Sequence, residues 1–343
     1  MVDISTYLEE NLNYALNMSF TILLIIGIVA NISVLYALNL VVIRSCLTTW
    51  LLRAQVVLDA FCCFWIMLFT WVRYYPYSDP LSGWIQCHIW RTQIPYWLVA
   101  FMSTCNLTWI MLDRLWATVY CATYRRYEKA YIIWTTIGTV MLSVGTLIPN
   151  MLIVEFHNMT CSTKITPNHT FAFRVTMFYQ PFNFVVYYLL PISVMLVAYF
   201  WVVCNFQLME RNWQNAERHG QSTSWSLQQS DQGQSESNGT FCSIDPLYRS
   251  MTVGSLCMIS IVILGHTFDT VNYLLSNLVS EYSYDFGSDV QLIGAFVNTV
   301  NSIFNPVIIA LSVPSIKKLP PEYLTLIIKK SKRVCIKSRF EES

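Results

Sequence analysis

Hydrophobic positions along this chain gather into long runs broken by short polar connections, and the run lengths predict helices that cross a membrane. Met18 to Ile43, Thr92 to Leu112, Ala130 to Val154 and Val175 to Met209 contain no Asp, Glu, Lys or Arg. Each exceeds the roughly 20 residues that a helix rising about 1.5 Å per residue needs to cross about 30 Å of hydrocarbon. Three further runs are Ala54 to Val72 with the single charge Asp59, Ser250 to Ser280 with the single charge Asp269, and Val290 to Pro314 with none. The pattern predicts an all-α membrane protein, a seven-transmembrane helix bundle over residues 18–313.

Composition agrees. Hydrophobic residues make up 55% of the chain and charged residues 12%, with a mean hydropathy of +0.44. These values set aside the pair of soluble domains that 343 residues would otherwise allow. The first run follows Asp3, Glu9 and Glu10 instead of a basic segment, so it reads as a span and not as a cleaved signal peptide.

Charge then orients the bundle. Arg44 and Arg53 flank the first connection, Arg125, Arg126 and Lys129 lie in the third, and Lys317, Lys318, Lys329, Lys330, Lys332, Arg333, Lys337 and Arg339 crowd the tail. The other side carries the acidic N-terminus and Glu281, Asp285 and Asp289. Positively charged loops stay cytoplasmic, so residues 1–17 are expected outside and the tail inside. The net charge is only +1 and the basic residues lie beside the membrane, which points to anionic lipid as their partner and not to nucleic acid.

One connection is long. Residues 212–245, with QSTSWSLQQSDQGQSESNGT from Gln221 to Thr240, hold too few apolar side chains to offset ordering entropy and are expected to form a disordered cytoplasmic loop. After Pro314, residues 314–343 read as a short cytoplasmic amphipathic helix and basic tail; Ile316, Leu319, Leu324, Ile327 and Ile328 are placed to face lipid, although a bare basic tail has the same composition. Cys335 in that tail is a candidate for palmitoylation. Sequons at Asn17, Asn158 and Asn168 fall on the side assigned outside and are candidate glycosylation sites, whereas Asn238 falls inside and is expected to stay bare. Of eleven cysteines, Cys87 and Cys161 are the two placed outside, where a disulfide between them would pin one outer loop over the mouth of the bundle.

Ionisable and amide groups inside the spans carry the functional information, because they are costly in lipid and turn inward. Asn298, Asn301 and Asn305 recur at helical spacing along one stripe of the last span, with Ser302 beside them. Asn31, Asp59 and Ser103 lie at compatible depths in the first three spans. A carboxylate ringed by hydroxyl and amide oxygens suits a small hard cation such as sodium, or a trapped water cluster, and interhelical hydrogen bonding alone would equally explain it. Pro306 frees the carbonyl one turn back, so the last span can bend there.

Several of these residues together resemble the rhodopsin-like (class A) G-protein-coupled receptors. They are Asn31 after GIVA, Asp59, Ser103 followed ten residues on by Asp113 and Arg114, Pro191 with Tyr199 eight residues later, and NSIFNP from Asn301. The resemblance covers nearly the whole chain. It implies a plasma-membrane receptor that binds an extracellular ligand and opens its inner face to a heterotrimeric G protein. Asp113 and Arg114 would form the coupling switch with Tyr199 and Pro306, though read alone an Asp-Arg pair at a helix end is also a snorkelling pair at the interface. Four departures mark a divergent member: no proline in the sixth span, where Gly265 is the weak point; Trp134 too near the inner end of the fourth; a shifted Cys87; and Ile309 where the family completes Asn-Pro-x-x-Tyr.

The resemblance also locates a ligand pocket in the outer half: Gln93, Tyr96 and Trp97 in the third span, Gln180 and Asn183 in the fifth, His266, Asp269, Asn272 and Tyr273 in the sixth, and Asn298 in the seventh. Asp269 would meet a cationic group of the ligand, or else pair with His266 one turn away. Tyr96 stands where amine receptors carry an aspartate and Thr299 where light-sensing members carry the retinal lysine, so neither an amine nor retinal is expected. The aromatic and amide surface suits a peptide, while interfacial Tyr and Trp also belt membranes without binding anything. Two other classes remain open: a transporter or channel using Asp59 and Asp269, which would predict internal repeats that the sequence lacks, and a receptor-shaped protein that does not signal. No HExxH, Walker A or paired CxxC motif suggests an enzyme.

Overall fold

A computed structural model describes residues 4–43, 45–72, 79–157, 160–163, 174, 178–179, 181–218, 246–278 and 288–317. Helices α1 (Ile4–Leu40), α2 (Cys46–Trp71), α3 (Pro80–Ile85), α4 (Ile94–Val119) and α5 (Cys121–Ile153) lead to a hairpin of β1 (Val154–His157) and β2 (Thr160–Thr163). Then follow α6 (Leu190–Arg218), α7 (Pro246–Leu278), α8 (Asp289–Ser312) and the single turn α9 (Pro314–Lys317). Gln180, Asn158, Asn168, Asn238, Cys335 and the tail beyond residue 317 lie outside the described residues.

Six segments are long and apolar enough to cross a membrane: Tyr14–Leu40, Cys46–Trp71, Arg126–Pro149, Pro181–Leu208, Ser250–Leu275 and Asp289–Ser312. The architecture is that of a helical multi-pass membrane protein. Their outward faces stay apolar, as at Ile32, Trp134, Met141 and Leu264. Helix α4 is as long, at 26 residues, but less apolar because its buried side carries Ser103, Thr104, Asn106, Asp113 and Arg114. It packs against α2, α5, α6 and α7, and so needs less lipid-facing surface than its neighbours.

One sequence expectation shifts at its edge. Residues 212–218 belong to α6 and not to the long loop; NWQNAER contains no Gly or Pro and is rich in residues that favour a helix. Helix α1 starts at Ile4 and so takes in most of residues 1–17, the segment that the sequence analysis reads as the outer N-terminus.

Proline leaves two marks. The π-helical turn Phe184–Leu189 ends just before Pro191, which has no N–H to offer the preceding turn. In α8, Pro306 leaves the carbonyl of Ser302 without its helical donor, and Asn31 Nδ2 takes that carbonyl at 2.9 Å. A side chain of α1 thus closes the gap that proline opens. Gly265, read in the sequence as a weak point of α7, does something else: a Cβ there would lie 3.2 Å from Val297 O and 3.4 Å from Asn298 Cα. It brings α7 and α8 close together, and Gly254 against Ser312 does the same further along the seam.

The two largest apolar clusters of the core have a polar layer between them. Leu47, Leu51 and Val56 of α2, Leu107 and Ile110 of α4, and Ile309 of α8 belong to one apolar cluster. Cys63 and Ile66 of α2, Tyr96 and Ala100 of α4, and Leu292 and Phe296 of α8 belong to the other. On each helix the buried stretch between them carries polar side chains: Asp59 on α2, Ser103, Thr104 and Asn106 on α4, and Asn298, Thr299, Asn301, Ser302 and Asn305 on α8.

Cys87 and Cys161 form a disulfide, as the sequence suggested, with Cα atoms 5.6 Å apart across a sequence separation of 74. Arg91 Nη1 donates to Cys161 O at 2.8 Å, and Phe156 of β1 lies over Gly83, where a Cβ would strike its ring. The hairpin is therefore fastened at three points to the segment before α4. Cys161→Ser is expected to lower stability by about 4 kcal/mol in the chain-entropy picture, read as a fall in the thermal midpoint. An unchanged midpoint would mean that the packing of Phe156 suffices.

Candidate functional site

The polar layer is built around Asp59, which has no exposed surface. Its Oδ1 accepts from Gln55 Nε2 at 3.0 Å, Ser103 Oγ at 2.9 Å and Ser302 Oγ at 2.9 Å. Its Oδ2 accepts from Gln55 Nε2 at 3.0 Å and Asn305 Nδ2 at 2.8 Å. Helices α2, α4 and α8 therefore meet at one carboxylate. Asn31 stands aside, donating to Gly27 O and Ser302 O. Asn301 faces a cavity of about 10 Å³ shared with Ser103, Ser302, His266 and Asn298, room for about one water. The amide oxygens of Asn31, Asn301 and Asn305 have no protein partner, and that of Asn301, which lines this cavity, can accept from such a water.

This donor set does not fit the sodium ion that the sequence suggested. A hard cation needs oxygen lone pairs aimed at it, whereas every group around the carboxylate points a hydrogen at it. Gln55, which the sequence reading passed over, is the reason.

Toward the other end of α4, Arg114 is 1% exposed and Asp113 fully buried. Arg114 Nη2 lies 2.5 Å from Asp113 Oδ2 and 2.7 Å from Thr48 Oγ1, and Nη1 lies 3.4 Å from Met251 Sδ of α7. Thr48 Oγ1 in turn donates to Asp113 Oδ2 at 2.8 Å, and Tyr124 OH donates to Oδ1 at 2.5 Å. Burial first, and then the facing Asp113, push the Tyr124 phenol well above its ordinary pKa, so it remains a donor. Glu128 fixes the start of α2 by accepting from Leu47 N and Ser45 Oγ. A pair buried to this degree is not a snorkelling pair at a water interface. Tyr199 packs half-buried against the same apolar cluster as Ile309 and Met251.

At the disulfide end a cavity of about 50 Å³ is lined by Trp97, Asn183, Asp269 and Tyr273 of the expected pocket, together with Thr92, Phe101, Thr146, Leu147, Tyr179, Tyr187, Thr270 and Gln291. Asp269 presses on Gly294, where a Cβ would sit 2.6 Å from Oδ1. The other expected pocket residues go elsewhere. Tyr96 is buried beneath, donating to Ala295 O at 2.8 Å and accepting from Thr299 Oγ1, while Asn298 Nδ2 donates to Tyr187 OH at 3.2 Å. His266 Nε2 lies 3.3 Å from Thr104 Oγ1 and its Nδ1 makes no hydrogen bond, so the His266 partner is α4 and not Asp269. All three line the deeper cavity. Gln93 adopts a left-handed backbone, φ 54°, at the entry to α4, and its side chain is buried away from the outer cavity. Asn272 is half-buried and not on the wall, and Gln180 lies outside the described residues.

Residues missed in the sequence carried a signal. Tyr179 and Tyr187 flank the expected Asn183 at four-residue spacing, Phe101 follows the expected Trp97 by four, and Gln55 precedes Asp59 by one turn. The chain matches no protein-family model and no curated protein.

Proposed function

We propose that the chain is a receptor of the rhodopsin-like, G-protein-coupled kind, with α4 as a seventh span, the disulfide end outside the plasma membrane and the Arg114 end facing a heterotrimeric G protein. The observation that carries this reading is a near-continuous thread of buried polar groups between the two ends. From the outer cavity it runs from Tyr187 to Asn298, then along the deeper cavity to Ser302, Ser103 and Asp59. Gln55 and Asn106 continue it to Leu51 O, one turn from Thr48 and the Arg114 pair. Buried polar networks rigidify the helices they join and couple their members more strongly than isolated pairs do.

The ligand we infer is a peptide. The outer cavity, at about 50 Å³, is far smaller than the several hundred Å³ of small-molecule pockets and admits a side chain, not a whole molecule. Its aromatic walls and Asp269 suit an arginine, a lysine or a terminal amine.

A panel of basic peptides applied to cells expressing the protein tests this reading. A responding peptide should lose its response with Arg114→Ala at unchanged surface expression, and lose at least about tenfold in potency with Asp269→Asn. Ligand-independent ion flux in reconstituted vesicles would instead support a transporter or channel. A second reading has its own support: Ile309, 1% exposed, fills with apolar bulk the place where the family carries a switch hydroxyl. Peptide binding without nucleotide exchange would favour this receptor-shaped protein that does not signal.

A further inference from the structure

The donors around Asp59 point to a role for Gln55. Its amide nitrogen lies 3.0 Å from both carboxylate oxygens and 2.7 Å from Ser103 Oγ, so it faces the carboxylate as a bound cation would. The orientation is fixed from behind: Asn106 Nδ2 donates to Gln55 Oε1 at 2.9 Å and to Leu51 O at 2.9 Å. Turning the Gln55 amide over would set its NH2 against the Asn106 NH2 and its oxygen against a carboxylate. Both contacts would be repulsive. The remaining faces of Asp59 are closed by Ser103, Ser302 and Asn305, each donating. A carboxylate offers about four lone-pair directions, and five hydrogen bonds already converge on this one.

We propose that Gln55 stands in the place of a cation at Asp59, and that this single amide closes the polar centre to sodium. An amide carries no net charge, so it holds the three helices by hydrogen bonds alone and in a way that the salt outside does not alter. The space left over, about 10 Å³ beside Asn301, takes a water and no coordination shell. Removing the Gln55 side-chain amide opens a volume next to the carboxylate, frees Ser103 Oγ of its donor and lets both serine hydroxyls turn their lone pairs inward. Carboxylate and hydroxyl oxygens facing one vacancy are what a monovalent hard cation requires. The inference concerns only the polar centre and holds whether or not the bundle signals.

The test is thermal unfolding of the full-length protein in lipid nanodiscs, in sodium chloride and in choline chloride at matched ionic strength. The wild type is expected to give the same midpoint in both salts. Gln55→Leu should lower the midpoint in choline and recover part of it as sodium is added, in the concentration-dependent manner of a ligand that binds the folded state. Asp59→Asn on the Gln55→Leu background should abolish that recovery. Gln55→Ala, which leaves a larger space and no branched side chain to strain, serves as the second variant. A sodium-specific rise in the wild type that Asp59→Asn removes would overturn the proposal. So would folded Gln55→Leu and Gln55→Ala proteins that unfold alike in both salts, since the amide would then be a hydrogen-bonding partner and not a stand-in. If neither variant folds, the wild-type comparison still tests whether the centre is closed to sodium, and a sodium-specific rise there overturns the proposal.

Discussion

Asp113→Asn is expected to raise ligand-independent nucleotide exchange on a G protein by roughly five- to thirtyfold, provided that the receptor reading holds. The carboxylate makes the short contact to Arg114 and also accepts from Thr48 and Tyr124, so it holds α4, α2 and α5 together around the guanidinium. An asparagine keeps the shape and can still accept from Tyr124, but it no longer neutralises the buried cation. Uncompensated buried charge is strongly unfavourable, and the guanidinium gains by swinging out past Met251 toward solvent. Only the part of that energy that differs between closed and open bundles shifts the equilibrium. A difference of about 1–2 kcal/mol gives the stated factor. Arg114→Ala should act in the opposite direction, with low basal exchange and no response, because the group that would meet the G protein is gone. Tyr124→Phe removes one of the three partners of Asp113 and should fall between wild type and Asp113→Asn. Exchange measured with purified protein in nanodiscs decides the matter; a basal rate that stays flat or falls in a folded Asp113→Asn protein would sink the lock.

The contrast between the two ends of α4 shows what a sequence can and cannot reveal. Asp59, Ser103, Ser302 and Asn305 were legible because a charge in an apolar run is rare and because the asparagines of α8 repeat at helical spacing. The structure brings all four to one point. Gln55 and Asn106 obey the same spacing rule relative to Asp59 and Ser103, yet uncharged amides do not interrupt a hydrophobic run and so do not stand out. Their effect is nevertheless to reverse the chemistry, from a cage of acceptors to a ring of donors. The outer pocket was legible in part for a different reason. Position along a span gives depth, and depth put Trp97, Asn183, Asp269 and Tyr273 at one level, where they line the cavity at the disulfide end. Rotation about the helix axis is less well determined near an irregular start, and α4 is preceded by a π-helical turn at Gln86–Trp90 and by the left-handed Gln93. Those two features turn Tyr96 toward α8. The β1–β2 hairpin was invisible for a third reason: four-residue strands in a loop carry too short a pattern, and only Cys161 marked their place.

The centre of the bundle supplies the larger test of stability. Asp59→Ala leaves Gln55, Ser103, Ser302 and Asn305 with donors aimed at an apolar methyl group, in a layer with almost no exposed surface. Interhelical hydrogen bonds inside membranes average about 0.6 kcal/mol each, which gives roughly 2 kcal/mol for the three partners on other helices, with Gln55 a fourth partner within α2. Donors left buried and unpaired add to it, and about 3–4 kcal/mol is expected. Asp59→Asn should cost less. Its oxygen still accepts from Ser103 and Ser302, while its NH2 faces the Gln55 and Asn305 amides, which must turn to offer oxygen. Asn305 has an unpartnered oxygen ready for that turn, whereas Gln55 is held by Asn106. The two substitutions therefore differ in a second variant: Asn106→Ala, which frees Gln55 to rotate, should rescue part of the loss in Asp59→Asn and none of it in Asp59→Ala. Chemical denaturation in mixed micelles reads each step. Equal rescue in both backgrounds would mean that Asn106 acts only through packing against α2, and that the orientation of the Gln55 amide is not what holds the layer together.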